Sequence, residues 1–127
     1  VLHRFSGSPD AEKSDFTDIE DSWYTDAVSW AAHNGIVSGT GDNKFSPDEY
    51  ITRGQIATIL CRYKNGKSLD VNSINSFNDS GTIPDWGKDS IAWAIEQGLI
   101  MGRSGGNIAF NDNATRAEAA TIIMRFI

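Results

Sequence analysis

Apolar residues fall at helical spacing in paired stretches along the chain. Trp23, Ala27, Val28, Trp30 and Ala31 form one stripe, which predicts a helix from about Trp23 to Asn34 with Asp21 or Ser22 as its cap and Gly35 as its left-handed stop. Ile56, Ile59, Leu60 and Tyr63 form a second, predicting a helix from Thr52 to about Tyr63. The same alternation returns with a helix from Trp86 to Gln97, a stop at Gly98, and a last helix from Thr115. Gly and Pro punctuate residues 39–47, which read as a loop or short hairpin, and a Gly-rich loop runs on to Asn113. The connection from Lys64 to Ser76 is polar.

The pairing is a repeat. At an offset of 63, Trp23 matches Trp86, Trp30 matches Trp93, Gly35 matches Gly98, Gly39 matches Gly102, and Thr52-Arg53 matches Thr115-Arg116. Each unit opens on Phe-x-Asp, as Phe16-Thr17-Asp18 and Phe77-Asn78-Asp79. The closing signature, Ile59-Leu60-Cys61-Arg62-Tyr63 and Ile122-Ile123-Met124-Arg125-Phe126, occurs a third time as Val1-Leu2-His3-Arg4-Phe5. The expected organisation is therefore the tail of a preceding unit and a linker over 1–12, then repeats over 13–65 and 66–127. Phe110 lies two residues later from its glycine than Phe45 does, so the loops are expected to differ in length. The fold class is mostly α, in tandem helix-loop-helix units.

Composition changes this picture by exclusion. The net charge is −6 with scattered acids, against the clustered Lys and Arg of a nucleic-acid footprint. Hydrophobic content of 39% with four Trp and six Phe indicates a folded chain. No apolar run approaches the length of a membrane span. The chain begins inside a helical signature, so the lack of a leader says nothing about export. Cys61 is the single cysteine, which leaves no disulfide framework and reads as a small buried hydrophobe. His3 and His33 stand in different units, and Asp42, Asn43, Asp48 and Glu49 lack the order of a calcium loop. No metal or cofactor is expected. Trp30 and Trp93 fall on the interior side of their helices and are expected in the core. No pair of carboxylates can be nominated for glycoside hydrolysis, and the chain is not expected to be an enzyme.

Chemistry concentrates at the start of each second helix. Thr52-Arg53-Gly54-Gln55 and Thr115-Arg116-Ala117-Glu118 both fit the capping box, in which the Thr hydroxyl and the Gln or Glu side chain satisfy each other's backbone N–H groups. An arginine directly after the cap is not part of that box and is mildly unfavourable at the positive helix end. Two explanations stand. Free N–H groups and a planar guanidinium make a carboxylate or phosphate site, or Arg53 and Arg116 pair with acids such as Asp18 or Asp79. Gly54 is expected to weaken its helix start by up to about 1 kcal/mol.

The order Phe-x-Asp, Trp, Gly-Ile/Leu-x-x-Gly, Phe, Thr-Arg-x-Glu/Gln and an apolar helix ending in Arg-aromatic resembles the S-layer homology domain, over residues 16–63 and 77–126. The resemblance implies a three-pronged, pseudo-threefold helical bundle, here truncated. It implies non-covalent anchoring of a secreted protein to the bacterial cell surface by binding a secondary cell-wall polysaccharide bearing pyruvate ketals. Carried over to this sequence, the family pattern makes Arg53 and Arg116 the partners of the pyruvyl carboxylate, with Thr52 and Thr115 beside them. Trp23 and Trp86 pack on a sugar face, and Gly39 and Gly102 let the ligand approach backbone. Ala114 stands where the family has Ile, and the loop at Ser104-Gly105-Gly106 lacks the usual Asp-Gly, so Arg53 is expected to bind more strongly than Arg116. Repeat arrays cover each unit with its neighbours, so the chain is expected to associate with itself through the surface left by the missing unit. A self-association module without glycan and a non-catalytic part of a cell-wall hydrolase are the competing classes.

Overall fold

The computed structural model describes residues 1–10, 14–19, 24–37, 44–46, 49–103 and 105–126. Among the described residues there are five α-helices, α1 (Leu2–Phe5), α2 (Thr25–His33), α3 (Arg53–Lys64), α4 (Asp85–Glu96) and α5 (Arg116–Phe126), with 3-10 turns over Val71–Ser76 and Ser80–Thr82. Among the described residues there are two isolated β-bridges and no strand, so the class is mostly α as the periodicity indicates. Gly35 and Gly98 take φ of +69° and +71° directly after α2 and α4, the left-handed stop that a residue without Cβ adopts at no cost. Asp21 and Ser22, expected to cap α2, lie outside the described residues, as does most of the loop over 39–47.

The described residues form two compact units, Val1–Glu49 and Tyr50–Ile127. In the first, Ile19, Val28, Trp30 and Ile36 are buried. The His3 ring packs 5.4 Å from Trp30, and its Nε2 lies 2.8 Å from the Pro9 carbonyl oxygen. Asp18 brackets a loop by accepting the N–H groups of Phe45 and Ser46 at 2.8 and 2.7 Å. Ser46 stands at φ +61°, and Phe16 packs on Phe45 at 5.4 Å.

In the second unit α3 and α4 pack together. The apolar stripe of α3 is wider than its spacing indicates, because Arg53, Gly54, Ala57, Thr58 and Cys61 are buried as well as Ile56 and Leu60. One side of α3 meets α4, and its first turn meets the loop that precedes α5. Burial pushes the Cys61 thiol above its usual pKa. Trp93 is in the core, as expected, and the Tyr63 and Phe126 rings that end α3 and α5 meet edge to face at 5.8 Å.

The connection after α3 is a docked strap. Glu96 accepts the Ser68 hydroxyl and the Leu69 N–H, each at 2.7 Å, Asp89 accepts the Ser68 N–H, and Ile74 is 2% exposed. Ile74, the single large apolar residue near the centre of the 3-10 turn, was the signal for this strap within the polar composition.

Candidate ligand-binding site at the heads of α3 and α4

Asp79 repeats the work of Asp18. It accepts the N–H groups of Ile108 and Ala109, both at 2.8 Å, and Ala109 takes φ +57° just as Ser46 takes +61°. Phe45 is thus the structural counterpart of Ile108 rather than of Phe110. The two loops keep the 63-residue offset, and the length difference lies before the first helix of each unit. Burial works to raise the Asp79 carboxyl, but the two backbone N–H groups outweigh it and hold its pKa below the usual range.

The loop that Asp79 holds receives the head of α3. Arg53 N–H donates to Asp112 at 3.0 Å, Gly54 N–H to Phe110 at 2.9 Å, and Ala114 N–H to Ile51 at 2.9 Å. Thr52 completes the expected capping box with Gln55. The N–H groups that a helix start leaves free are therefore spent inside the protein. The Arg53 side chain is spent too. Nε donates to the Ile108 carbonyl at 3.0 Å, one terminal nitrogen to the Met101 carbonyl at 2.6 Å, and the other to Glu118 at 2.6 Å. With 5% exposure, Arg53 is a buried tie between α3 and the following repeat. Its acid is Glu118, neither Asp18 nor Asp79.

Glu118 is a hub. Its second oxygen accepts from Arg103 at 2.7 Å and from the Thr115 N–H at 3.2 Å, and Arg103 also reaches Asp112 at 2.9 Å. Burial acts to raise the Glu118 carboxyl, and Arg53, the Thr115 N–H and Arg103 together overcome it, bringing the pKa from 4.5 to about 2. The folded-state pKa lies below the unfolded one, so this stabilisation is full above about pH 4.5 and is lost as the pH falls from there through about 2. Urea titrations across that window should show a falling unfolding free energy for the native chain and a smaller fall for Glu118→Gln.

Phe110, 1% exposed, joins the two helix heads. A Cβ on Gly54 or on Gly87 would stand within the Phe110 ring's own space, so the glycine at the start of α3 is a packing requirement and not only a weak helix former. Trp86 crosses the same ring edge to face at 5.4 Å while remaining 58% exposed. Gly102 serves similarly: a Cβ there would lie 2.8 Å from the Phe77 ring and 3.2 Å from the Asn107 carbonyl. The structure thus gathers Thr52, Arg53 and Thr115 around one ionic hub, with Trp86 reached through Phe110 and Gly102 next to Met101. Arg116 is exposed and has no hydrogen-bond or ion-pair partner among the described residues. Trp23 and Gly39 lie outside the described residues. Sequence reasoning missed Glu118 and Phe110 as the organising residues, although the Glu of the capping box and the lone aromatic of the last loop were their signals.

Comparison with known proteins shows the family. The family profile of the S-layer homology domain matches residues 15–57 and 76–120. The chain is 37% identical to the exoglucanase XynX of Acetivibrio thermocellus over 127 residues, covering 97% of this chain and 12% of that protein. It is 32% identical to the surface-layer 125 kDa protein of Lysinibacillus sphaericus, covering 88% and 10%, and 30% identical to an endoglucanase of a Bacillus species, covering 87% and 11%. The chain spans about a tenth of the length of these relatives. It belongs to the S-layer homology domain family. Domains of this family are non-catalytic modules that bind cell-wall polymers and hold secreted proteins at the bacterial cell surface. Among the described residues no helix is long and apolar enough to cross a membrane.

Proposed function

We propose that this module anchors its parent protein by binding a secondary cell-wall polysaccharide that carries pyruvate ketals. The observation that supports this most is Trp86. An indole 58% exposed, braced from below by Phe110, presents a rigid apolar face of the kind on which the C–H groups of a sugar ring pack, at small entropic cost. A ketal carboxylate requires a cation with unused donors. Arg53 has its three nitrogens engaged inside the protein, so Arg116 takes the stronger role and Arg53 acts by shaping the ground beneath, the reverse of the order expected from the loop sequence. Thr52 and Thr115 accept N–H groups from Gln55 and Glu118, which leaves their hydroxyl protons for a ligand oxygen. Trp23 and Gly39 hold the matching positions of the first repeat.

The test is calorimetric titration of purified wall polysaccharide into single variants whose fold is checked by circular dichroism. Trp86→Ala is expected to weaken binding by roughly tenfold or more, as for an aromatic anchor. Arg116→Ala should have a comparable effect, and Arg116→Lys should recover part of it because the bidentate fork is lost. Native affinity in a folded Trp86→Ala would overturn the assignment.

A further inference from the structure

Asparagine is a chemically labile residue, and most so before glycine, whose backbone nitrogen reaches the asparagine side chain with no side chain of its own in the way. The sequence has two such pairs, Asn34-Gly35 and Asn65-Gly66, and each directly follows a helix, α2 or α3. The fold treats them differently. Gly66 is wedged. Its N–H donates to the Cys61 carbonyl at 2.8 Å, its carbonyl accepts the Cys61 thiol at 3.2 Å, and a Cβ on it would stand inside the space of the buried Trp93 indole. Turning the Gly66 nitrogen toward the Asn65 side chain breaks both bonds and lifts the residue off that ring. Gly35 is open. A Cβ there would meet nothing within 4 Å among the described residues, and Asn34 and Gly35 are both exposed. Turning this pair gives up the Gly35 N–H bond to Ala32 at 3.1 Å and the Asn34 amide bond to the Trp30 carbonyl at 2.8 Å, with no packed ring to leave.

We infer that Asn34 is a site of spontaneous deamidation in the folded protein, while the wedge of Gly66 against Trp93 protects Asn65. In the reaction the Gly35 nitrogen gives its proton to hydroxide and bonds to Asn34 Cγ. The Cγ–Nδ2 bond breaks, and the nitrogen takes a proton from water and leaves as ammonia. Water then opens the five-membered imide at either carbonyl, giving aspartate or its β-linked isomer. One water is consumed and one ammonia released, with no oxidant or cofactor. The product sets a carboxylate at the negative end of α2 and removes the Asn34 amide donor to Trp30, so the modification loosens the end of that helix. The second repeat holds a natural control. Gln97-Gly98 occupies the matching position, Gly98 has φ +71° against +69° for Gly35, and a Cβ on Gly98 also meets nothing within 4 Å among the described residues. Its N–H bond, to Ile95 at 3.0 Å, is equivalent too. Glutamine is one methylene longer and must close a six-membered ring, which is much slower. The same open joint is therefore inert after α4 and reactive after α2 because of one side chain.

Incubation of the whole chain at mildly alkaline pH, with the conversion of each amide to a carboxylate followed by peptide mass spectrometry, tests this. In the folded chain Asn34 is expected to convert roughly tenfold or more faster than Asn65, the factor for one or two further hydrogen bonds' worth of local opening. In concentrated urea the two rates should converge, because the protection belongs to the fold. Gln97→Asn carries the decisive comparison: in the folded variant, position 97 should convert about as fast as Asn34 and not as slowly as Asn65. Asn34→Gln should stop conversion at that position, and Asn34→Asp, which copies one product, should lower the thermal midpoint. A folded native chain in which Asn65 converts as fast as Asn34, or a folded Gln97→Asn chain in which position 97 is as slow as Asn65, would overturn the inference.

Discussion

Arg53→Ala is expected to lose about 3 kcal/mol of unfolding free energy, because the buried arginine ties two carbonyls and one half-buried carboxylate at once. The substitution strips a donor from the Ile108 and Met101 carbonyls and leaves Glu118 with Arg103 and the Thr115 N–H. Domains of this size carry roughly 5–15 kcal/mol in all, so the variant should lose a large share of its stability. Arg53→Lys should recover less than half, because one ammonium cannot reach three acceptors set in a fork. Urea unfolding followed by tryptophan fluorescence measures both. A native-like midpoint in Arg53→Ala would mean that the buried tie contributes nothing. The result also governs how binding data are read: lost affinity in this variant reports lost structure unless the fold is shown intact.

The second large effect centres on Phe110. Phe110→Ala is expected to cost about 3–5 kcal/mol, the range for emptying an aromatic site in a close-packed interior, and to release Trp86 from its support. Gly54→Ala should also destabilise, by about 1–3 kcal/mol as an overpacked core does, although alanine is the better helix former by about 1 kcal/mol. The sign separates the two accounts of Gly54. Helix propensity alone makes the substitution stabilising, and the Phe110 contact makes it destabilising. Because both changes act on one contact, Gly54→Ala combined with Phe110→Leu should cost less than the sum of the single effects. Thermal denaturation of the four chains decides it, and strict additivity would contradict the contact.

What could be read from the sequence was whatever depends on local rules. The stops at Gly35 and Gly98, the capping box at Thr52 and the core positions of Trp30 and Trp93 follow from spacing and backbone chemistry within a few residues. What could not be read depends on pairs far apart in the chain. Arg53 and Glu118 are separated by 65 residues, and nothing near Arg53 distinguishes an arginine that waits for an anion from one that is tied to three partners. Gly54 looked weak because its neighbour Phe110 is remote in sequence. The equivalence of Phe45 and Ile108 was hidden because the match rests on backbone, the Asp bracket and the left-handed residue after it, while the side chains differ. The strap over residues 66–76 was hidden because Glu96 supplies its acceptors from a helix that the sequence describes only as amphipathic.

The central claim is recognition of a cell-wall polymer through its acidic ketals. The most direct measurement is calorimetric titration of the native chain with purified wall polysaccharide, before and after acid removal of the pyruvate. The account predicts saturable binding of the pyruvylated polymer, weakened by added salt because a charge pair contributes, and a loss of affinity of at least about tenfold after depyruvylation. Equal affinity for both polymers, or none for either by a folded chain, would contradict it.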